Sequence, residues 1–323
     1  MKVLVCGGAG YIGSHMVQLL IEQGHEPVVL DNLSTGHADA VPGAPLMVGD
    51  ILDGEFLASV FSEQGPFDLV MHFCAKSIVG ESIEQPDVYY ENNVTGTLQL
   101  LEVMQRFNHK RLVFSSSAAT YGMPESTKID ETHPCRPINP YGETKLAVEK
   151  ALAKVHATHG IRSLSFRYFN ACGAHPDVAI GERHDPETHL VPNILKSLLA
   201  KGQPLRVFGN DYATPDGSCI RDYVHVCDLA EAHLAAAAFL DKNDAAHVMN
   251  LGNGSGFSVF DVIRSVERVT GQTVDYTIEE RRAGDPPSLV ADASLARQAL
   301  GWQPSFTSMD SIIETAWQFH RQE

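Results

Sequence analysis

Residues 2–22 constrain the fold more than any other stretch. Lys2–Cys6 is an apolar, strand-like run, Ser14–Glu22 has helical spacing, and between them stands Gly7-Gly8-Ala9-Gly10-Tyr11-Ile12-Gly13. The glycines satisfy both Gly-x-Gly-x-x-Gly (Gly8, Gly10, Gly13) and Gly-x-x-Gly-x-x-Gly (Gly7, Gly10, Gly13). Side chains at these points would oppose the sharp turn and keep an anion away from the helix N–H groups. A glycine triplet alone often marks only a tight turn. With a strand before it and a helix after it, it opens a βαβ unit that receives a pyrophosphate.

The alternation continues. Pro27–Leu30 is a second strand and ends at Asp31-Asn32, where an acid meets the ribose hydroxyls of an adenosine. A carboxylate there repels a 2′-phosphate, so NAD is expected rather than NADP. Leu46–Val48 is a short strand before Asp50, which could accept from an adenine amine. Phe67–Phe73 and Arg111–Ser115 read as buried strands, and Ile161–Arg167 as a further one. Cys74 and Ala75 follow the first of these and Ser117 the second, at strand ends where ligands of such sheets sit. Asp87–Phe107 reads as one long helix carrying Asn92 and Asn93. The expected fold is a doubly wound parallel sheet of Rossmann type with a smaller C-terminal substrate-binding domain. Periodicity weakens over Ala171–Leu190, which reads as a long loop. We therefore expect residues 1–170 to form the dinucleotide domain, with 219–250 returning to it, and 171–218 plus 251–323 to hold the substrate. Helices are expected at Val191–Ala200 and Cys227–Leu240, and a strand at His247–Leu251.

Pro140 marks a helix start, and Tyr141 and Lys145, four residues apart, share one face of that helix. A phenol is a poor base near neutrality, and an adjacent ammonium lowers its pKa, so the pair is a candidate general base. In isolation Tyr-x-x-x-Lys is more often an ordinary surface helix. Net charge is −16, which excludes an overall basic footprint for nucleic acid. An anionic ligand must then meet local cations, and Arg206, Arg221, Arg281 and Arg282 lie in or beside loops of the second region. No run is apolar enough to span a bilayer, and no signal-peptide pattern is expected. Six scattered cysteines without Cys-x-x-Cys spacing suit a reducing, cytoplasmic setting. Of the 15 histidines, His184 and His189 are five apart and cannot share a helical face, so no metal is expected.

With these blocks in place, the chain resembles the extended short-chain dehydrogenase/reductases over essentially its whole length, and within them the nucleotide-sugar 4-epimerase branch. The resemblance rests on the glycine loop, Leu30-Asp31-Asn32-Leu33, His72-Phe73, Val79-Gly80-Glu81-Ser82, Tyr89-Tyr90-Glu91-Asn92-Asn93, Ser115-Ser116-Ser117, Tyr141 with Lys145, Arg167-Tyr168-Phe169-Asn170, Phe208-Gly209-Asn210-Asp211-Tyr212 and Arg221-Asp222-Tyr223-Val224-His225. It implies an isomerase of carbohydrate metabolism that inverts C4 of UDP-glucose and UDP-galactose through a 4-keto sugar, with tightly bound NAD. It implies Ser117, Tyr141 and Lys145 as catalytic residues. For NAD it implies Gly7, Gly10, Tyr11, Ile12, Gly13, Asp31, Asn32, Leu33, Ser34, Thr35, Gly36, Asp50, Ile51, Phe73, Cys74, Ala75, Ser77, Asn92, Ser115 and Phe169, beside Tyr141 and Lys145. For the UDP-sugar it implies Asn170, His189, Leu190, Arg206, Phe208, Arg221, Arg282, Asp285 and Leu289, beside Ser117 and Tyr141. It also implies a homodimer built on the helices at Asp87–Phe107 and after Pro140.

The chain departs from relatives at three points. Related 4,6-dehydratases carry Asp-Glu after the Ser117 strand, where this chain has Ala118-Ala119, so water elimination has no acid there. Leu289 stands where relatives restricted to UDP-glucose often place tyrosine, and a shorter side chain could admit an N-acetyl group. His189 stands where an asparagine often meets the nucleotide, and can still donate a hydrogen bond. The alternatives are a 4-epimerase of UDP-N-acetylhexosamines or UDP-pentoses and, in another class, an NAD-binding protein without turnover. The latter would need none of Ser117, Tyr141 and Lys145.

Overall fold

The computed structural model describes residues 1–199, 203–282 and 284–322. Seven parallel strands form the main sheet: β1 (Lys2–Cys6), β2 (Glu26–Asp31), β3 (Leu46–Val48), β4 (Leu69–His72), β5 (Arg111–Ser117), β6 (Arg162–Tyr168) and a seventh that arrives much later in the chain. Between β6 and that strand come β7 (Asn170–Cys172), β8 (Leu205–Phe208), β9 (Ile220–Arg221) and β10 (Tyr223–His225). The seventh sheet strand is β11 (Ala246–Leu251), and the order is β11-β6-β5-β4-β1-β2-β3. The direction of winding reverses between β1 and β4, which places the ligand crevice at their C-terminal ends. These strands read as continuous apolar runs because helices cover both faces. On one face Leu20, Met16 and Val17 pack with Leu229, Ala236 and Leu240; on the other Leu57 and Phe61 pack with Leu100, Met104 and Leu152.

The helices are α1 (Tyr11–Glu22), α2 (Gly54–Gln64), α3 (Val79–Glu84), α4 (Pro86–Tyr89), α5 (Gly96–Arg106), α6 (Pro140–His159), α7 (Leu190–Leu198) and α8 (Val226–Lys242). The expected end of α7, Ala200, lies outside the described residues. Three more follow: α9 (Val259–Thr270), α10 (Ser294–Leu300) and α11 (Met309–His320). Of these, α9 and α11 pack with α7 around Ile194, Val262, Val266, Ile312 and Ile313, a separate core under β8 and β13 (Tyr276–Glu279), while Ala296 of α10 joins the main-sheet core. A small sheet, β12 (Phe257–Ser258), β9 and β14 (Ser288–Leu289), closes that side. Asp222, fully buried, accepts from the backbone N–H groups of Asn253, Gly254 and Ala291 and so ties three distant segments at one point.

One helical expectation needs correcting. Asp87–Phe107 is not a uniform α-helix: Tyr90–Thr95 is wound as a π-helix between α4 and α5. The Thr97 hydroxyl donates to the Asn93 carbonyl at 2.6 Å, an acceptor that the regular ladder would otherwise use. The Asn93 side chain meanwhile brackets the backbone of Lys76, accepting at 2.9 Å and donating at 3.0 Å. Such local widening is common where a helix carries a functional face.

Candidate active site

The glycine loop is packed to the limit of backbone contact. A Cβ on Gly13 would lie 2.1 Å from the carbonyl oxygen of Gly7, and one on Gly7 (φ +78°) 2.6 Å from the Cys74 nitrogen. Gly10 precedes α1 without a side-chain cap, so the amides of Tyr11, Ile12 and Gly13 face the crevice with no side chain competing for them. At the tip of β2 the Asp31 carboxylate accepts from Ala9 N at 2.9 Å and Leu33 N at 2.8 Å. Burial raises its pKa, and those two hydrogen bonds oppose the rise. Leu33 has φ +58°, and Ser34 N donates to Asn32 Oδ1. Thr35 and Gly36 continue this turn, and a Cβ on Gly36 would meet Ala9 and Asp31. Asn32 donates to Asp50 at 2.8 Å, which brings Asp50 and Ile51 to the same rim. Phe73, Cys74, Ala75 and Ser77 line the segment after β4, with Phe73 N bonded to Cys6 O. Asn92 donates to Asn93 within the π-helical turn. A flat, side-chain-free cradle ending in a carboxylate suits a dinucleotide diphosphate with one ribose at Asp31.

Across the crevice α6 begins with Asn139 accepting from Gly142 N at 2.8 Å and Pro140 in its first turn. This cap sets Tyr141 and Lys145 on the face toward the end of β5. Tyr141 lies near enough to the Ser117 side chain for the hydroxyl to favour its phenolate. Lys145, 3 % exposed, donates from Nζ to the Ser115 carbonyl at 2.6 Å, with Ser115 Oγ at 3.5 Å. Its ammonium lies 5.8 Å from the Tyr141 ring centre.

The expectation that Lys145 acidifies Tyr141 is not met by the protein groups alone. Burial raises the Tyr141 pKa, and the Ser117 hydroxyl only partly offsets it. Burial also lowers Lys145 to about 7, against the pull of Cys74 and Glu149. An ammonium committed to a carbonyl, and half discharged near neutrality, offers the phenol little field.

The substrate-side residues fall into separate groups. Arg206 and Arg282 both approach the Phe208 ring, at 5.6 and 4.0 Å. Arg221 donates to Pro286 O at 2.9 Å and pairs with Asp285 at 3.2 Å, one strand from Leu289 on β14. Leu289 and Phe169 pack on Ala118, Tyr121 and Ile129, beneath the end of β5. Asn170 begins β7, with its N–H on Asp222 O. His189 and Leu190 start α7, but His189 Nδ1 faces Glu182 and Glu187 rather than open space. Arg281 is committed to an exposed ion pair with Asp211 and lies over the Tyr212 ring at 4.3 Å.

Three features escaped the sequence reading. Glu149 and Arg167 form a buried ion pair that also accepts from Ser116 Oγ at 2.5 Å and stacks Arg167 on Tyr121. Arg167 was visible as a charge ending an apolar strand, which is a signal for a buried partner. Tyr11 donates to Gly173 O at 2.6 Å, linking the glycine loop to the segment after β7. Glu182, His184, Glu187 and His189 converge within 4.8 Å.

Comparison with known proteins gives the family and the fold. The model of the NAD dependent epimerase/dehydratase family matches residues 3–252. The UDP-glucose 4-epimerase of Halalkalibacterium halodurans is 49 % identical over 322 residues, covering 100 % of this chain and 96 % of that protein. The crystal structure of UDP-glucose 4-epimerase from Brucella ovis in complex with NAD superposes with a TM-score of 0.95 at 47 % identity, covering 98 % of each chain. That from Bifidobacterium longum, in complex with NAD+ and UDP, gives 0.94 at 35 % identity, over 100 % of this chain and 99 % of the other.

Proposed function

The chain belongs to the NAD dependent epimerase/dehydratase family, and from that premise we propose that it interconverts UDP-glucose and UDP-galactose by inverting C4 of the hexose. The observation that carries this reading is the meeting of Ser117 and Tyr141 at the C-terminal end of β5, with Lys145 one turn below and no carboxylate at positions 118 and 119. Tyr141 takes the proton of the 4-hydroxyl and Ser117 holds that oxygen. NAD, when bound, supplies the acceptor for the hydride that leaves C4 and gives it back to the opposite face. Lys145 then binds the nicotinamide ribose and meets the phenolate as a charge, which requires its ammonium to shift from the Ser115 carbonyl. Tyr141 returns the proton as the alcohol reforms, so protons and electrons balance over the cycle.

The remaining residues bind. Gly7, Gly10 and Gly13 with the first turn of α1 hold the diphosphate of NAD, Asp31 its ribose, and Asp50 with Asn32 the adenine edge. On the substrate side Arg221, Arg282 and Arg206 are proposed to meet the UDP diphosphate, with Phe208 and Asn170 flanking the nucleotide. Residues 1–170 and 219–250 form the cofactor lobe in this proposal, and 171–218 with 251–323 the sugar lobe. A second reading, epimerisation of UDP-N-acetylhexosamines, is favoured by Leu289, an aliphatic residue packed under the end of β5.

We further read the protein as a cytoplasmic homodimer. Ile83, Tyr90 and Leu98 are exposed along α3, the π-helical turn and α5, which supports a helix-to-helix interface there. All six cysteines are free thiols, which suits a reducing compartment. Among the described residues no helix is long and apolar enough to cross a membrane.

Purified protein incubated with UDP-galactose and no added NAD tests the activity. UDP-glucose should form until the two sugars reach equilibrium. Failure to convert UDP-galactose, alone or with NAD supplied, would overturn the reading.

A further inference from the structure

The loop between β7 and α7 holds four metal-ligating side chains that the proposed reaction does not use as a set. His189 Nδ1 lies 2.7 Å from Glu182 Oε1 and 3.0 Å from Glu187 Oε1. His184 Nδ1 lies 3.1 Å from Glu182 Oε1 and 4.0 Å from Glu187 Oε1. The side chains of Glu182 and Glu187 are 4 % and 6 % exposed while those of His184 and His189 are 27 % and 45 % exposed, so two buried carboxylates are capped by two imidazoles at the surface. One imidazole nitrogen therefore faces two buried carboxylate oxygens while carrying at most one proton to give them. Glu187 Oε2 is buried without a hydrogen bond, with Lys196 Nζ 3.7 Å away.

We propose that Glu182, His184, Glu187 and His189 form a closed, four-ligand structural site for a divalent cation of the zinc class. Bonds of about 2.0–2.2 Å in a tetrahedron set ligand atoms roughly 3.3 Å apart, and the four separations above lie on both sides of that value. Two carboxylates and two neutral imidazoles around a dication give a neutral centre, with the dication taking over the role that His189 and Lys196 otherwise share in balancing the two carboxylates. Imidazole and carboxylate ligands without thiolate select Zn2+ and its first-row neighbours over Mg2+ or Ca2+. With all four positions taken by protein, no place is left for a reacting water, so the role is to brace the fold.

The site sits where bracing matters. His189 is the residue before α7, the first helix of the sugar lobe. His184 touches the Tyr11 ring edge-on at 6.2 Å, and Arg183 between the ligands grips Asp39 of the cofactor lobe. A cation here would fix the loop against the start of α1 and hold His189 turned away from the nucleotide through Nδ1.

The test uses the full-length protein, purified without a metal-affinity tag or chelator. Elemental analysis should find close to one zinc per chain. After chelator treatment, Co2+ should bind with the intense visible d–d bands of a tetrahedral centre, and Zn2+ should raise Tm. Glu182→Gln and His184→Asn should each weaken Co2+ binding at least about tenfold and abolish the Zn2+-dependent rise. Equal Co2+ binding by wild type and variants would assign the metal to other histidines and overturn the proposal. If a variant fails to fold, the wild-type spectrum decides: weak octahedral bands, or none, overturn it.

Discussion

Lys145 donates to the main-chain carbonyl of Ser115 at 2.6 Å, and this bond keeps its ammonium 5.8 Å from the centre of the Tyr141 ring. The two residues expected to act as one base are thus held apart by a third. Tyr141 is the group whose loss should stop the chemistry without disturbing the cleft. Tyr141→Phe removes one oxygen and keeps the ring. Turnover of UDP-galactose should fall by about 10²–10⁴-fold while bound NAD, read from the absorbance of denatured protein, is unchanged. Near-wild-type turnover would remove Tyr141 from the role of base.

The burial of Lys145 also sets a pH dependence. Its folded pKa is about 7, against 10.5 for the free side chain. Between those values the unfolded chain binds the extra proton, so this group makes the protein more stable as pH rises through the window. Below about pH 7 both states are charged and the burial penalty is complete. Lys145→Met removes that penalty. The Tm of the variant minus that of wild type should therefore be greatest at pH 6–7 and shrink toward pH 10. A difference that does not vary with pH would mean that Lys145 is solvated.

Glu149 and Arg167 should behave as one unit. Each is nearly enclosed, with side chains 5 % and 6 % exposed, and the pair joins α6 to β6. Glu149→Gln leaves a guanidinium without its counter-charge, which should cost about 3–5 kcal/mol in urea unfolding. Replacing both with methionine should recover most of that loss. A double variant as unstable as the sum of the singles would show that the pair is not coupled.

Gly13→Ala tests the cradle. The added methyl would meet the Gly7 carbonyl at 2.1 Å, a main-chain contact that no rotamer relieves. Helix propensity alone would favour alanine by about 1 kcal/mol. We expect the opposite sign in Tm and loss of co-purifying NAD; a stabilised, NAD-loaded variant would mean that the loop relaxes easily.

Leu289→Tyr tests sugar choice. Leu289 packs with Phe169 against Ala118, Tyr121 and Ile129, so a longer, rigid ring must extend out of that cluster. It should reduce kcat/KM for UDP-N-acetylglucosamine more than for UDP-glucose. Equal losses on both would take Leu289 out of the discrimination.

What the sequence disclosed and withheld follows from the range of the forces involved. Strand alternation, the glycine turn and the Tyr141–Lys145 spacing are short-range regularities, and each appears in the structure close to its expected place. The π-helical turn at Tyr90–Thr95, with the Thr97 hydroxyl on the Asn93 carbonyl, is a backbone detail that hydrophobic periodicity does not encode. The Lys145–Ser115 bond and the Glu149–Arg167 pair arise from how α6 settles on the sheet. His184 and His189, five residues apart, cannot share a helical face. They lie instead in a non-helical loop, where that rule has no force.

The late arrival of β11 has a consequence for how such a protein is made and altered. Its residues 246–251 cover the flank of β6 only after the chain has passed through α7, β8 and α8. A nascent polypeptide therefore carries Leu164 and Phe166 on an unzipped margin until residue 251 has left the ribosome, and a fragment cut at residue 170 would carry that margin permanently as a template for self-association. On the proposed division the two lobes are not separable cassettes, because β11 returns to the first one's sheet. A new sugar preference is then to be sought in single side chains, within a framework stitched through both halves.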